Sequence, residues 1–306
     1  MRNALQDRAV CPACRGPLHW ARREARCAAC GGVYAIQDSV PVLLVSDVQD
    51  DPVKSSQIAF YEDADGEAEY EIVRPRGTPR LHAWFIADKL RRAVSEIPLA
   101  GLHSALVVCG GSGLEAEWLS RQGVTTVCSD LSHSALLRAA QRSERFGAEF
   151  DLVVADVEEL PFSDGSFDLV LVHDGLHHLV EPLKGLTEMA RVAKHAVSIN
   201  EPALAAVTRA AVRLGAAEET EEAGNRVARL TLPQLSATLE GLGYRVVASE
   251  RYGMFYRHRP GFASHMLSAP PLFRAARLAW RTGNALGGRF GNKLVVQAVR
   301  VEELKV

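Results

Sequence analysis

The sequence runs to 306 residues, 47% hydrophobic and 24% charged, with a formal net charge of −2 and six cysteines. Such a chain holds one large globular domain and a small one. No apolar run approaches the ~20 residues of a membrane span, and the opening MRNALQDRAV has no signal-peptide core, so a cytoplasmic protein is expected.

The cysteines divide into two C-x-x-C pairs near the start, plus Cys109 and Cys128 inside apolar runs. That is the arithmetic of a metal site in a reducing cytosol rather than of a disulfide framework. Charge is segregated as well. Residues 47–71 carry nine acids and one Lys, whereas residues 251–300 carry eight Arg, one Lys and no acid. Two readings stand: the C-terminal face meets an anionic partner, or the two segments pack on each other.

Cys11 and Cys14 are separated from Cys27 and Cys30 by twelve residues. Two such knuckles close a tetrahedral four-thiolate site, for which structural zinc is the usual occupant, and four thiolates leave no open position for catalysis. Glycines after each pair permit the tight turns, and LHWARREAR between them reads as a short hairpin. A domain of this size has little core, so the metal supplies much of its folding energy. The continuation C-x-x-C-G-x-x-Y-x-I-x-D-x-x-P-V-L-L resembles the small zinc-ribbon family that partners, or is fused to, methyltransferases of tRNA, rRNA and release factors. Ser39 stands where that family often has Gly. The resemblance implies an interaction or substrate-presenting module over residues 1–46.

Residues 47–80 are polar and aperiodic; LHAWFIADKLRRAVSEI then reads as an amphipathic helix ending before Pro98. The stretch from Ala105 to Gly113, ALVVCGGSG, is a strand entering a Gly-rich turn, followed by a helix. Small residues there let the backbone approach a ligand, and the helix start favours a carboxylate. Cys109, Gly110, Gly111 and Gly113 are therefore cofactor-binding candidates. Seventeen residues on, a second strand ends at Asp130, where an acid can accept both ribose hydroxyls; Leu131 follows it. A third strand ends at Asp156–Val157, and a fourth, FDLVLV, ends at His173-Asp-Gly-Leu-His177-His178. Ligands of open α/β sheets sit at such carboxyl ends. A nicotinamide dinucleotide enzyme is disfavoured, because Ala116 breaks the G-x-G-x-x-G pattern.

D-x-x-x-L-P-F-x-D-x-S-F-D, running from Asp156, resembles the central motif of class I S-adenosylmethionine (SAM)-dependent methyltransferases. The resemblance implies an α/β fold with a doubly wound, seven-stranded, Rossmann-like sheet over residues 101–306, and SAM as cofactor. It implies that Asp156 accepts from the adenine amino group. It implies a lid built from the connector, residues 47–100, with Tyr61, Tyr70, Arg74, Arg76 and His82 either lining it or lying on the surface. Val107 departs from the family, which commonly places an acid there for the cofactor's ammonium; Glu115 is the candidate substitute, and the alternative is weakened SAM binding. The [DN]-P-P-[YF] string of many adenine and glutamine N-methyltransferases is absent.

The catalytic candidates are His173, His177 and Glu201. Histidine takes protons near neutral pH, and His173 comes first because it follows the strand directly. The resemblance also implies another role, since L-H-H-L recurs in that family as a structural turn with a His packed under the cofactor. A metal on the histidines is disfavoured, because adjacent histidines in a turn make poor joint ligands. Glu201 closes the fifth strand and either orients an acceptor or caps a helix. Residues 203–215 read as a helix, 218–230 as a charged interruption around Asn225, and LTLPQLSATLEGLG as another helix. The last two strands form an antiparallel hairpin around an insert at 254–290. That insert interleaves aromatics with Arg and His, which suits phosphorylated ligands, nucleic acid or an anionic membrane surface, or simply packs on the acidic connector. The function expected is methyl transfer from SAM to an O or N of a small or carrier-linked metabolite, such as a sugar or phosphorylated glycan. The alternatives are an rRNA or tRNA methyltransferase that clamps RNA with the ribbon and insert, and a non-catalytic scaffold of the same fold. Oligomeric state is not encoded in any recognisable pattern.

Overall fold

A computed structural model describes residues 4–45, 48, 51–62, 68–203, 230–254 and 259–301. The side chain of Tyr61, the expected helix over 203–215, the stretch around Asn225, and residues 255–258 of the insert lie outside the described residues. The N-terminal sheet comprises β1 (Leu18–Trp20), β2 (Glu24–Cys27), β3 (Val33–Gln37) and β4 (Val40–Pro41), paired antiparallel in chain order. The connector is helical in three stretches, α1 (Pro52–Glu62), α2 (Ala68–Val73) and α3 (Arg80–Ala93). The first two fall in the stretch expected to be aperiodic. They are short, with weak amphipathicity of their own; Glu69 and Glu71 in the first turn of α2 suit the positive end of its dipole.

The large sheet contains β5 (Ser104–Val108), β6 (Thr125–Asp130), β7 (Asp151–Val154), β8 (Phe167–His173), β9 (Ala193–Pro202), β10 (Tyr244–Tyr252) and β11 (Lys293–Arg300). Its order is β10-β11-β9-β8-β5-β6-β7; β11 runs antiparallel to both neighbours, and the other pairings are parallel. This is the doubly wound seven-stranded sheet of the sequence reading. β5 and β8 are apolar without alternation because both faces are covered: every residue of each is buried. Leu106, Val108, Val170 and Val172 join one apolar cluster, while Ala105, Val107, Leu169 and Leu171 join another. The period-two alternation thus fills two layers, one on each side of the sheet.

Helices α4 (Leu114–Ser120), α5 (His133–Phe146), α6 (Pro182–Val192) and α7 (Leu232–Gly241) connect the strands. Local chemistry sets their ends. Ser132 Oγ accepts from Ala135 N to start α5, and Gly147, at φ 58°, ends it. The insert forms α8 (Phe262–Met266) and α9 (Pro270–Gly287).

The ribbon docks on the large sheet through main chain. Val42 forms a parallel bridge with Val154, and Leu43 N donates to Val154 O at 2.9 Å. Ala9 bridges Phe162, and Leu5 N donates to Asp151 Oδ2 at 3.0 Å. Leu5, Leu18, Tyr34 and Leu43 belong to the same apolar cluster as Val153 and Phe162. The parallel strands deliver their carboxyl ends, Val108, Asp130, Val154, His173 and Pro202, to one rim. Tyr252 and Lys293 stand there too, since Lys293 pairs with both Tyr252 and Pro202.

Candidate active site and metal centre

The four thiols of Cys11, Cys14, Cys27 and Cys30 lie within 4.8 Å of one another. Cys11 Sγ is 3.7 Å from Cys30 Sγ, and Cys14 Sγ is 3.4 Å from Cys27 Sγ. Metal–sulfur bonds of about 2.3 Å in a tetrahedron put sulfurs roughly 3.8 Å apart, so this donor set fits zinc. The amides of Cys30 and Ala29 are directed at Cys27 Sγ, at 3.5 and 3.3 Å. Led by the Cys30 amide, they hold that thiol down to about 6, which favours the thiolate a metal needs. Gly16 has no space for a side chain: a Cβ there would stand 2.8 Å from Ala29 Cβ and 3.1 Å from Cys27 Sγ.

At the rim, the turn after β5 adopts φ 51° at Cys109, 49° at Gly111 and 78° at Gly113. Cys109 thus holds a Cβ in a conformation natural to glycine. Its side chain fills the space beside Gly175, where a Cβ would come within 2.4 Å of Cys109 Cβ. Gly110 is equally constrained, since a Cβ would lie 2.4 Å from Cys128 Sγ. Gly111 differs: nothing lies within 4 Å of where its Cβ would be, so bare backbone faces open space. Its N–H donates to Asp130 Oδ2 at 2.9 Å, and Ser132 N donates to Oδ1 at 2.9 Å. Burial pushes the Asp130 carboxyl up, against those two amides. Each carboxylate oxygen keeps a further lone pair for a hydroxyl donor, so turn and acid fit the ribose end of SAM. Leu131 continues from Asp130 into the loop before α5.

Asp156 caps the short 3-10 turn Val157–Glu159 through Glu158 N at 2.9 Å. Its other oxygen is 2.6 Å from Lys54 Nζ, which also lies 3.0 Å from Glu158 Oε2. Lys54 belongs to α1, so the connector reaches the Asp156 carboxylate. Although burial opposes it, the paired carboxylates raise the Lys54 pKa. The signal in the sequence was its isolation as the one Lys among nine acids over residues 47–71.

The His173 side chain is 2% exposed, with Nδ1 3.0 Å from Glu115 Oε1. Neither ring nitrogen has a hydrogen-bond partner among the described residues, the Nδ1 contact with Glu115 being at ion-pair distance without hydrogen-bond alignment. Burial, then the Lys89 charge, holds its pKa below the ordinary imidazole value, against the opposing pull of Glu115. Burial alone would raise Glu115, but the His173 contact outweighs it and brings the carboxyl down to about 2. Glu115, the candidate for the ammonium, is therefore committed to His173, and Val107 is buried in the core. Asn200 is the strand partner of His173; its Oδ1 accepts from Tyr252 Oη at 2.9 Å, while its Nδ2 has no partner among the described residues. Asp174 follows at φ 53°, 2.5 Å from Lys89 Nζ and in contact with Lys293 Nζ. Burial would raise its carboxyl, but Lys293 and Lys89 hold it well below the usual range.

Glu201 is not on the open rim. It is fully buried, and its Oε1 accepts from Gly175 N and Leu176 N, both at 2.8 Å. Its Oε2 accepts from His177 N at 3.3 Å and lies 2.7 Å from His177 Nδ1. The carboxylate shapes the turn after β8, because β9 ends where that turn presents its amides. His177 and Glu201 are therefore brought to each other, while His173 pairs with Glu115.

The connector is tied to the Gly turn. Arg142, with a fully buried side chain, donates to Ser112 O (2.8 Å), Arg74 O (2.9 Å) and Glu117 Oε2 (2.9 Å). Glu117 also takes Arg76 and Arg121; these cations overcome its burial and bring it down to about 2. Ser112 Oγ donates to Glu71 Oε2 at 3.0 Å, and Glu71 pairs with Arg74. Tyr70 Oη lies 3.2 Å from Nε2 of the buried His82.

Residues 106–199 match a family model described as a methyltransferase domain. A demethylmenaquinone methyltransferase from Clavibacter sepedonicus is 38% identical over 111 residues, 36% of this chain and 43% of that protein. The ubiquinone/menaquinone biosynthesis C-methyltransferase UbiE from Geobacter sp. strain M21 is 38% identical over 121 residues, 38% and 52% of the two chains. The chain thus spans about half the length of these relatives or less. Among solved structures, the magnesium protoporphyrin IX methyltransferase ChlM from Synechocystis, with SAH bound, has the same fold, at a TM-score of 0.54 and 14% identity over 81% of this chain and all of that one. YcgJ from Bacillus subtilis gives 0.50 and 15% identity, over 71% and 99%. Residues 106–199 thus carry the methyltransferase-domain match, within a fold shared with these structures and joined to a four-cysteine ribbon.

Proposed function

We propose that the protein transfers the methyl group of SAM to a hydroxyl or amine of a small or carrier-linked metabolite, with His173 taking the acceptor's proton. The observation that carries this reading is the His173–Glu115 pair. A buried imidazole stands 3.0 Å from a carboxylate, with neither ring nitrogen hydrogen-bonded among the described residues, at the strand end where ligands of this fold bind. Its lowered pKa keeps the ring neutral at neutral pH, the form a base requires. Glu115 orients the ring and stabilises it once protonated.

SAM supplies an electrophilic methyl group when bound. Asp130 and the bare Gly111 backbone suit its ribose end, and Asp156 suits adenine once Lys54 gives way. The ribbon is read as a structural zinc module that braces the sheet. A carbon acceptor is the second reading, favoured by the matched C-methyltransferase. A ring carbon next to a phenolic hydroxyl would call on the same base, and fragmentation of the methylated product separates the two. SAM titration calorimetry tests the cofactor assignment. Micromolar binding is expected, and Asp130→Ala should remove it; wild-type protein that binds no SAM would overturn the reading.

A further inference from the structure

We infer that α8 and α9 form a docking surface for an anionic phospholipid bilayer. Helix α9 is apolar on two faces. Phe273 and Trp280, seven residues apart, face inward, with the Trp280 ring 4.6 Å from that of Phe85 on α3. Leu278 and Leu286, eight apart, stand on the opposite side, 67% and 79% exposed. Phe262 of α8 and Phe290, just beyond α9, are exposed to a similar degree, and Met266 and Leu272 are also exposed. Single exposed apolar residues need no explanation, but a cluster this large on one insert does.

Charge identifies the partner. Arg274 and Arg281, both exposed, line a shallow cavity of about 150 Å³ with Leu278 and Arg277, while the Arg277 guanidinium lies over the inward Trp84 and Phe273 rings, 5.3 Å from each centroid. None of the three forms an ion pair among the described residues. The surrounding segment, residues 251–300, has no acid. Among the described residues no connector acid neutralises this row, and an anionic partner fits it. A row of guanidinium groups beside outward leucine and phenylalanine matches headgroup phosphates above an acyl layer. Stacked bases fit less well: Trp84, Phe85, Phe273 and Trp280 face the α3–α9 contact, and leucine offers no ring to stack on. A second copy of the same face would set arginine against arginine. The insert leaves and rejoins the sheet at Tyr252 and Lys293, beside Asp174, so a docked bilayer would lie next to the strand-end cleft.

Full-length protein should co-sediment with vesicles of phosphatidylcholine containing phosphatidylglycerol, less with phosphatidylcholine alone, and less again as salt is raised. Leu278→Asp with Leu286→Asp should lower partitioning by about a hundredfold, given roughly 1.5 kcal/mol or more for each buried leucine. Each of Arg274→Ser and Arg281→Ser should lower it about fivefold, from ~1 kcal/mol per surface cation. All four positions are exposed, and an unchanged melting curve checks the fold. Binding that ignores lipid charge or survives the aspartate pair overturns the inference. So does salt-sensitive capture of single-stranded RNA without vesicle binding, or a dimer that the aspartate pair dissolves. The readout needs no turnover, so it stands or falls separately from the methyl-transfer reading.

Discussion

Two histidines four residues apart in sequence each pair with a carboxylate, yet the fold gives the two pairs opposite roles. In the His177–Glu201 pair the carboxylate also receives three backbone N–H groups. In the His173–Glu115 pair the carboxylate receives no backbone N–H among the described residues and stands 3.0 Å from Nδ1. Both are buried, and both sit beside the same strand end. What differs is how many backbone donors each carboxylate satisfies. A carboxylate saturated by main chain fixes a turn, whereas one that holds only an imidazole leaves the imidazole able to work.

The comparison breaks most sharply at the histidine. His173→Ala should lower turnover per folded molecule by about two to four orders of magnitude, with some loss of stability because Glu115 loses its buried partner; an unchanged rate would remove the proton-transfer role. Glu201→Ala should behave in the opposite sense. Three buried amides and an imidazole lose their acceptor, costing about 3–5 kcal/mol in urea unfolding. SAM turnover per folded molecule should change far less.

Glu115→Gln sharpens the contrast. Turnover should fall roughly tenfold. Because the Glu115 charge raises the His173 pKa, removing it should move the acid limb of the rate profile to lower pH; a purely structural role would leave that limb in place. Stability should respond too. The Glu115 carboxyl titrates at about 2 in the fold, against an ordinary 4.5. It therefore contributes stability that is present above pH 4.5 and lost as pH falls toward 2, and the variant should flatten that slope. The smallest effect is expected at Lys54→Met. Releasing Asp156 from ~1 kcal/mol of ion pairing should tighten SAM binding about fivefold in calorimetry. Weaker binding would instead place Lys54 within the SAM site.

The sequence was most legible where chemistry and spacing coincide. Four cysteines in two C-x-x-C pairs have few other uses, and the apolar runs ending at Asp130, Asp156 and His173 place three groups on one rim before any coordinates exist. Partners supplied from a distance were illegible. Lys54 reaches Asp156 across 102 residues and Lys293 reaches Asp174 across 119, contacts that no local pattern encodes. Glu201 was legible as a strand-end acid, but its burial depends on the path of the turn after β8. Helices α1 and α2 escaped notice for a related reason. Their polar sequences are held by the Lys54 ion pairs with Asp156 and Glu158, the Ser112–Glu71 hydrogen bond and the Glu69–Arg145 ion pair rather than by an apolar stripe.

One feature of the ribbon reaches beyond the site. Strand β7 is the outermost strand of the large sheet, and the Val42–Leu43 segment is what covers its unpaired main chain. Folding of that segment rests on the four thiolates, so a chain deprived of metal would present a raw strand edge to its neighbours. Metal supply would then govern how the protein behaves in a crowded solution, with turbidity rather than lost affinity as the first sign of shortage.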